Sequence, residues 1–156
     1  MNNFDLRQTI GILANLGVVL GILLLVYELA QNRQMMRAQT RHAVSQGVID
    51  QFSRVAENPE YSELVREGFA GELRSDEDRY RYNNHLLTRF RYWEDVHFQY
   101  RMGLFDEMEF EAAKRGWSRL LVSKAVQNYW QTYRSDYSVE FAAEIDGIIA
   151  GLGQGE

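Results

Sequence analysis

The amino-acid sequence predicts an all-α chain in which one N-terminal transmembrane helix continues into a compact multi-helix cytoplasmic domain. Three observations carry this expectation. Residues Ile10 to Tyr27 form an uncharged run of eighteen. Beyond it apolar residues recur every three or four positions, and no stretch of useful length alternates with period two. With 156 residues, 46% of them hydrophobic, the chain can bury one core and carry one appendage. The expected organisation is a short tail at 1–9, a transmembrane helix at 10–29, a membrane-proximal helix at 30–56, a helical domain at 57–150 and a flexible Gly-rich tail at 151–156.

The span comes first. With Glu28 and Leu29 the apolar run reaches twenty residues, and at ~1.5 Å per residue that is ~30 Å, the thickness of a hydrocarbon core. Twelve of the eighteen uncharged positions are Ile, Leu or Val. Together they contribute about −4 to −7 kcal/mol to insertion before the glycines and Asn15 subtract. A cleaved signal peptide fits less well: residues 1–9 hold one Arg and one Asp, and no small-x-small cleavage site follows Tyr27. Arg33, Arg37 and Arg41 follow the span closely, against Arg7 alone before it, which places the C-terminal domain in the cytoplasm. Spaced i, i+4, i+8, the three arginines share one helix face that can meet anionic lipid head groups or simply face water.

Within the span, Gly17 and Gly21 form a GxxxG with Ala14 one turn earlier, a small-residue face that lets two helix backbones approach. Glu28 lies seven residues past Gly21, on the same side. Ala14, Gly17, Gly21 and Glu28 are therefore the candidate helix–helix interface. In a homo-oligomer Glu28 would form a ring of acids at the cytoplasmic mouth of a pore; in an isolated span it would only reach for water.

Past the span, Val44, Val48, Phe52 and Val55 continue a helical stripe until Asn58-Pro59 stops it. A short helix from Glu60 to Phe69 is closed by Gly71. Ser75 and the acids after it open the next helix, which carries Leu86, Leu87, Phe90, Trp93, His97 and Tyr100 and ends at Gly103. Asp106-Glu-Met-Glu109 resembles a capping box before Phe110, Ala113, Trp117, Leu120 and Leu121. Ser123 and Ser138 are expected to cap two further helices. The aromatic pairs Tyr92-Trp93 and Tyr129-Trp130 should each turn one ring inward and one outward.

Chemistry is sparse. There is no cysteine, so disulfides, thiolate metal sites and cysteine nucleophiles are excluded. Arg7, Arg33, Arg37 and Arg41 take four of the 17 basic residues, and Asp5 and Glu28 two of the 22 acidic ones. The stretch beyond Arg41 thus holds 13 bases against 20 acids, a balance that disfavours nucleic acid. Glu94-x-x-His97 has the ligand spacing of di-iron helical bundles, but it occurs once where such sites need it twice. No phosphate-binding glycine loop or nucleophile elbow is present. Neither an enzyme activity nor a cofactor or metal is expected.

Several stretches together carry a resemblance: Ile10-Gly-Ile-Leu-Ala-Asn-Leu-Gly17, Val26-Tyr-Glu-Leu-Ala-Gln-Asn-Arg33, Ala56-Glu-Asn-Pro59, Phe98-Gln-Tyr-Arg-Met-Gly-Leu104, and Trp130 ahead of Tyr137-Ser-Val-Glu-Phe141. Over nearly its whole length the chain resembles a large group of uncharacterised bacterial single-span proteins, mainly from proteobacteria. The resemblance implies an integral inner-membrane protein with a helical domain and brings no activity, ligand or catalytic residue. The function expected is a membrane-anchored, non-enzymatic helical interaction or scaffold module, an accessory subunit of a membrane complex. The alternative is a small homo-oligomeric channel or transport element with Glu28 at its cytoplasmic pore mouth. Expected partners are membrane lipids and either further copies of the chain or a larger membrane complex.

Overall fold

The computed structural model describes residues 3–153, with side chains from Gln8 onward. The described residues are all-α, with no strand among them. Helix α1 runs Asn3–Glu57, α2 Pro59–Ala70, α3 Asp76–Arg101, α4 Glu107–Leu121, α5 Lys124–Tyr133 and α6 Val139–Leu152, with one 3-10 turn at Arg134–Asp136. The chain divides into two units, residues 1–39 and Thr40 onward, and the division falls inside α1.

The first unit is a single helical stretch. Its apolar residues from Ile10 to Leu29 are exposed, and its most apolar 18-residue window has a mean hydropathy of 2.5. It is long and apolar enough to cross a membrane. No described residue of this unit shields these side chains.

The second unit takes in the last part of α1 as well as the other helices, so it begins at Thr40, earlier than the sequence boundary at 57. Local signals set most of its helix ends. Asn58 accepts the Tyr61 N–H at 3.0 Å while Pro59 occupies the first turn, where its missing N–H costs nothing. Gly71 and Gly103 adopt positive φ of 77° and 69°. Each closes its helix with paired backbone bonds, Gly71 N–H to Gly68 and Glu72 N–H to Glu67, Gly103 N–H to Tyr100 and Leu104 N–H to Gln99. Ser75 accepts from the Asp78 N–H at 3.0 Å, and Asp106 from the Met108 N–H at 2.9 Å.

Three caps differ from the sequence reading, each because a distant group competes. Ser123 makes no cap bond; its hydroxyl donates to the Phe69 carbonyl at 2.5 Å and ties the start of α5 to the end of α2. Ser138 makes none either; its own N–H donates to the Glu94 carboxylate at 2.7 Å, so an α3 side chain serves the start of α6. Glu109 does not complete a capping box, since its carboxylate pairs with Arg41 at 2.5 Å. The Gly-rich tail also starts later than expected: Gly151 and Leu152 are the last residues of α6, and Leu152 packs on the core. Residues 154–156 lie outside the described residues.

The core is aromatic. Phe90, fully buried on α3, lies 5.2 Å from Trp130, 4.9 Å from Trp93 and 5.5 Å from Tyr129, measured between ring centroids. Trp93 stacks on Trp117 at 5.2 Å, and Phe110 bridges Trp117 to Tyr100. Phe141 and Ile145 of α6 complete the interior. Tyr129 and Trp130 are both buried, contrary to the expected inward–outward split, because α5 packs against α2, α3 and α4 and has little free face. Around the core, Lys114 of α4 pairs with Glu144 of α6 at 2.8 Å. Asp146 of α6 accepts from the Trp130 indole N–H at 2.9 Å and pairs with Arg134 at 2.7 Å. At Gly68 an added Cβ would come 2.3 Å from the Tyr82 ring, so the close seating of α2 on α3 requires glycine there.

Candidate functional site

An apolar groove of about 430 Å³ opens in the second unit between the end of α1, α3 and α4. Its first wall is the α1 stripe legible in the sequence, Val44, Val48, Phe52 and Val55. Its second is built by Trp93 and Val96 of α3 with Trp117 and Leu120 of α4. A helical stripe ordinarily closes onto its neighbour. Here it stands off, and Phe52 remains 61% exposed.

Two contacts seat α1 beside α3 without closing that space. The Tyr92 hydroxyl donates to the Val44 carbonyl at 2.5 Å. The same ring lies over Gly47, where an added Cβ would sit 2.6 Å from the ring edge. The Arg41–Glu109 pair adds a third link, to α4; the Arg41 side chain is 71% exposed, which limits the pair to roughly 0–1 kcal/mol.

The polar groups on the groove are few: Gln51, Tyr92, Arg89 and Arg119, with no Asp or Glu on its lining. Arg89 is half-buried, and its guanidinium lies 5.9 Å from the Phe52 ring centroid, a cation–π contact. Burial pushes its pKa below the usual arginine value, with Tyr61 and Tyr82 acting the other way. Among the described residues no carboxylate comes within ion-pair distance of Arg89 or Arg119. Gly116 also lines the groove, and a Cβ there would meet only the Arg119 guanidinium, at 3.8 Å. Gly116→Ala should therefore raise stability by about 0.5–1 kcal/mol through helix propensity alone. Urea unfolding of parent and variant checks this.

The residues singled out from the sequence fall elsewhere. Ala14, Gly17, Gly21 and Glu28 are exposed on α1, and a Cβ at Gly17 or Gly21 would meet nothing within 4 Å. Arg33 and Arg37 are exposed on the same helix, while Arg41 is the one paired with Glu109. Glu94 and His97 both line an open recess at the start of α6, where Glu94 is engaged by Arg91 and Ser138. Burial alone would raise the Glu94 carboxyl; the hydrogen bonds from Ser138 and Arg91 outweigh it and hold the group below the usual carboxylate range. His97 is buried between Phe110 and Phe141, and burial lowers its pKa against the opposing pull of Glu144. Among the described residues no group of three His, Asp or Glu could hold a metal ion.

Sequence reasoning singled out Tyr92 and the apolar residues of both walls except Val96 without bringing the walls together as a groove, and it missed Gly47, Arg89 and Gly116. Gly47 carried a usable signal: a glycine inside a strong helical pattern costs about 1 kcal/mol relative to alanine, which points to a close approach. The chain matches no protein-family model, no curated protein and no solved structure.

Proposed function

We propose that this chain is a membrane-anchored, non-enzymatic binding module: residues 10–29 cross the bacterial inner membrane, and the helical domain, on the cytoplasmic side, takes an apolar ligand or partner in its groove. The observation that carries the reading is the groove, in which hydrophobic and aromatic walls are combined with a few polar groups, the usual composition of a binding site. Support for the anchor comes from the exposed apolar helix, for its orientation from Arg33, Arg37 and Arg41, and for the bacterial setting from the resemblance to single-span proteins.

The test uses the full chain in bacterial membranes. A fluorescent reporter that matures only in the cytoplasm, fused at the C-terminus, should light up in a membrane fraction that resists alkaline washing. A photoreactive residue at Phe52 should form an adduct that Gly116→Leu suppresses, whereas one at Tyr80, exposed and off the groove, should not. A reporter active only in the periplasm would reverse the topology. Adducts equal at the two positions would remove the groove from the function.

A further inference from the structure

Arginine is costly to bury without a counter-ion, and several cations of this unit have one. Lys114 sits between Glu111 and Glu144, Arg91 on Glu94, Arg81 on Glu60 and Arg134 on Asp146. Arg89, like the more exposed Arg119, has no counter-ion within ion-pair distance among the described residues. It is half-buried, it donates no hydrogen bond to the described residues, and it borders the groove. Among the described residues no fully buried side-chain nitrogen lacks a partner, so the unpartnered donors of Arg89 retain some access to solvent at the edge of the groove that this residue lines. A guanidinium cannot relieve the cost by giving up its proton. An anion brought to it would do so.

The charge around it is also out of keeping with the rest of the unit. Beyond Arg41 acids outnumber bases by 20 to 13, as counted above, yet the groove lining includes two arginines and no acid. An occupant that is apolar along its length and anionic at one end matches both features. Size agrees with this. About 430 Å³ lies within the ~300–1,000 Å³ of small-ligand sites. An extended hydrocarbon chain fits within a space of that size.

We infer that the groove binds a long-chain fatty acid, with its hydrocarbon between the α1 stripe and the Trp93–Trp117 wall and its carboxylate on Arg89. This rests on the reading of the groove as the module's binding site. The planar guanidinium fork suits a carboxylate, which it can meet with two parallel hydrogen bonds.

The three tryptophans make the test direct, because all lie outside the span: Trp93 and Trp117 line the groove, and Trp130 is in the core. The full chain, in vesicles of zwitterionic phosphatidylcholine, is titrated with dibromostearic acid, whose bromines quench a tryptophan on near contact, and in parallel with its neutral methyl ester. The acid should quench the parent, and the ester should need about tenfold to hundredfold more, the ratio expected for one charge-assisted contact. Arg89→Gln should lose the same factor for the acid and little for the ester. Gly116→Leu, which fills the groove, should abolish quenching by both. Equal quenching by acid and ester in the parent, still removed by Gly116→Leu, would overturn the fatty acid and leave the groove as an apolar site. No quenching of the parent, or quenching that survives Gly116→Leu, would overturn the fatty acid as occupant, while the groove reading itself falls only with the Phe52 crosslink.

Discussion

Phe90→Ala is expected to lower the stability of the helical unit by about 3–5 kcal/mol, the range for removing a buried phenylalanine ring. Phe90 is completely buried and touches the rings of Trp93, Tyr129, Trp130 and Tyr137, so its loss opens a cavity against side chains from α3, α5 and the 3-10 turn region at once. The aromatic neighbours are rigid and large, which limits how far they can collapse into the space. Against an ordinary total of ~5–15 kcal/mol, such a loss removes much of the margin. Denaturant unfolding followed by tryptophan fluorescence gives the number, and a value under about 1 kcal/mol would mean that Phe90 does not anchor the core.

Acid should destabilise the same unit through His85. The ring is buried, stacks on Tyr82, and places Nδ1 2.6 Å from the Tyr61 hydroxyl. Burial, with Arg89 one turn away, pushes its pKa from 6.5 down to about 4. Between those two values the unfolded chain binds a proton that the folded chain refuses, so stability rises with pH across the window and is fully regained above it. Those limits give a loss of about 2 kcal/mol on going from pH 7 to pH 5. His97, also lowered by burial, acts in the same sense. The informative comparison is therefore with His85→Gln, whose unfolding free energy should fall by about 2 kcal/mol less over that interval. Identical pH slopes in the two proteins would show that His85 is free to protonate in the fold.

Much of this fold could be read from residue spacing. The face of α3 carrying Leu86, Phe90, Trp93 and His97 is buried as its periodicity required, and Trp117 is buried on α4. The caps at Ser75 and Asp106 were legible because each is settled within a few residues. Ser123 and Ser138 were not. The hydroxyl of one and the N–H of the other are engaged by groups 54 and 44 residues away, and no local pattern encodes such competition. Tyr129 illustrates the same limit: whether a residue beside an inward-facing one is also buried depends on how many helices surround its own. The groove was half legible. The stripe from Val44 to Val55 announced an apolar face, but its distance from the opposite wall, and the missing counter-ion at Arg89, are properties of the packed chain.

The contact between Tyr92 and Gly47 acts as a tooth in a single notch. Displacing this part of α1 along α3 by one helical turn, ~5.4 Å, would put Ala43 or Gln51 under the Tyr92 ring. Either carries the Cβ that Gly47 lacks, and the tyrosine hydroxyl would lose the Val44 carbonyl. The pairing of the two helices therefore has one permitted register, enforced by the absence of a single carbon atom. For protein engineering this divides the helical glycines into two kinds. Gly116 and Gly147 have room for a methyl group and are open to helix-strengthening replacement, whereas Gly47 and Gly68 are locating marks that the same strategy would erase.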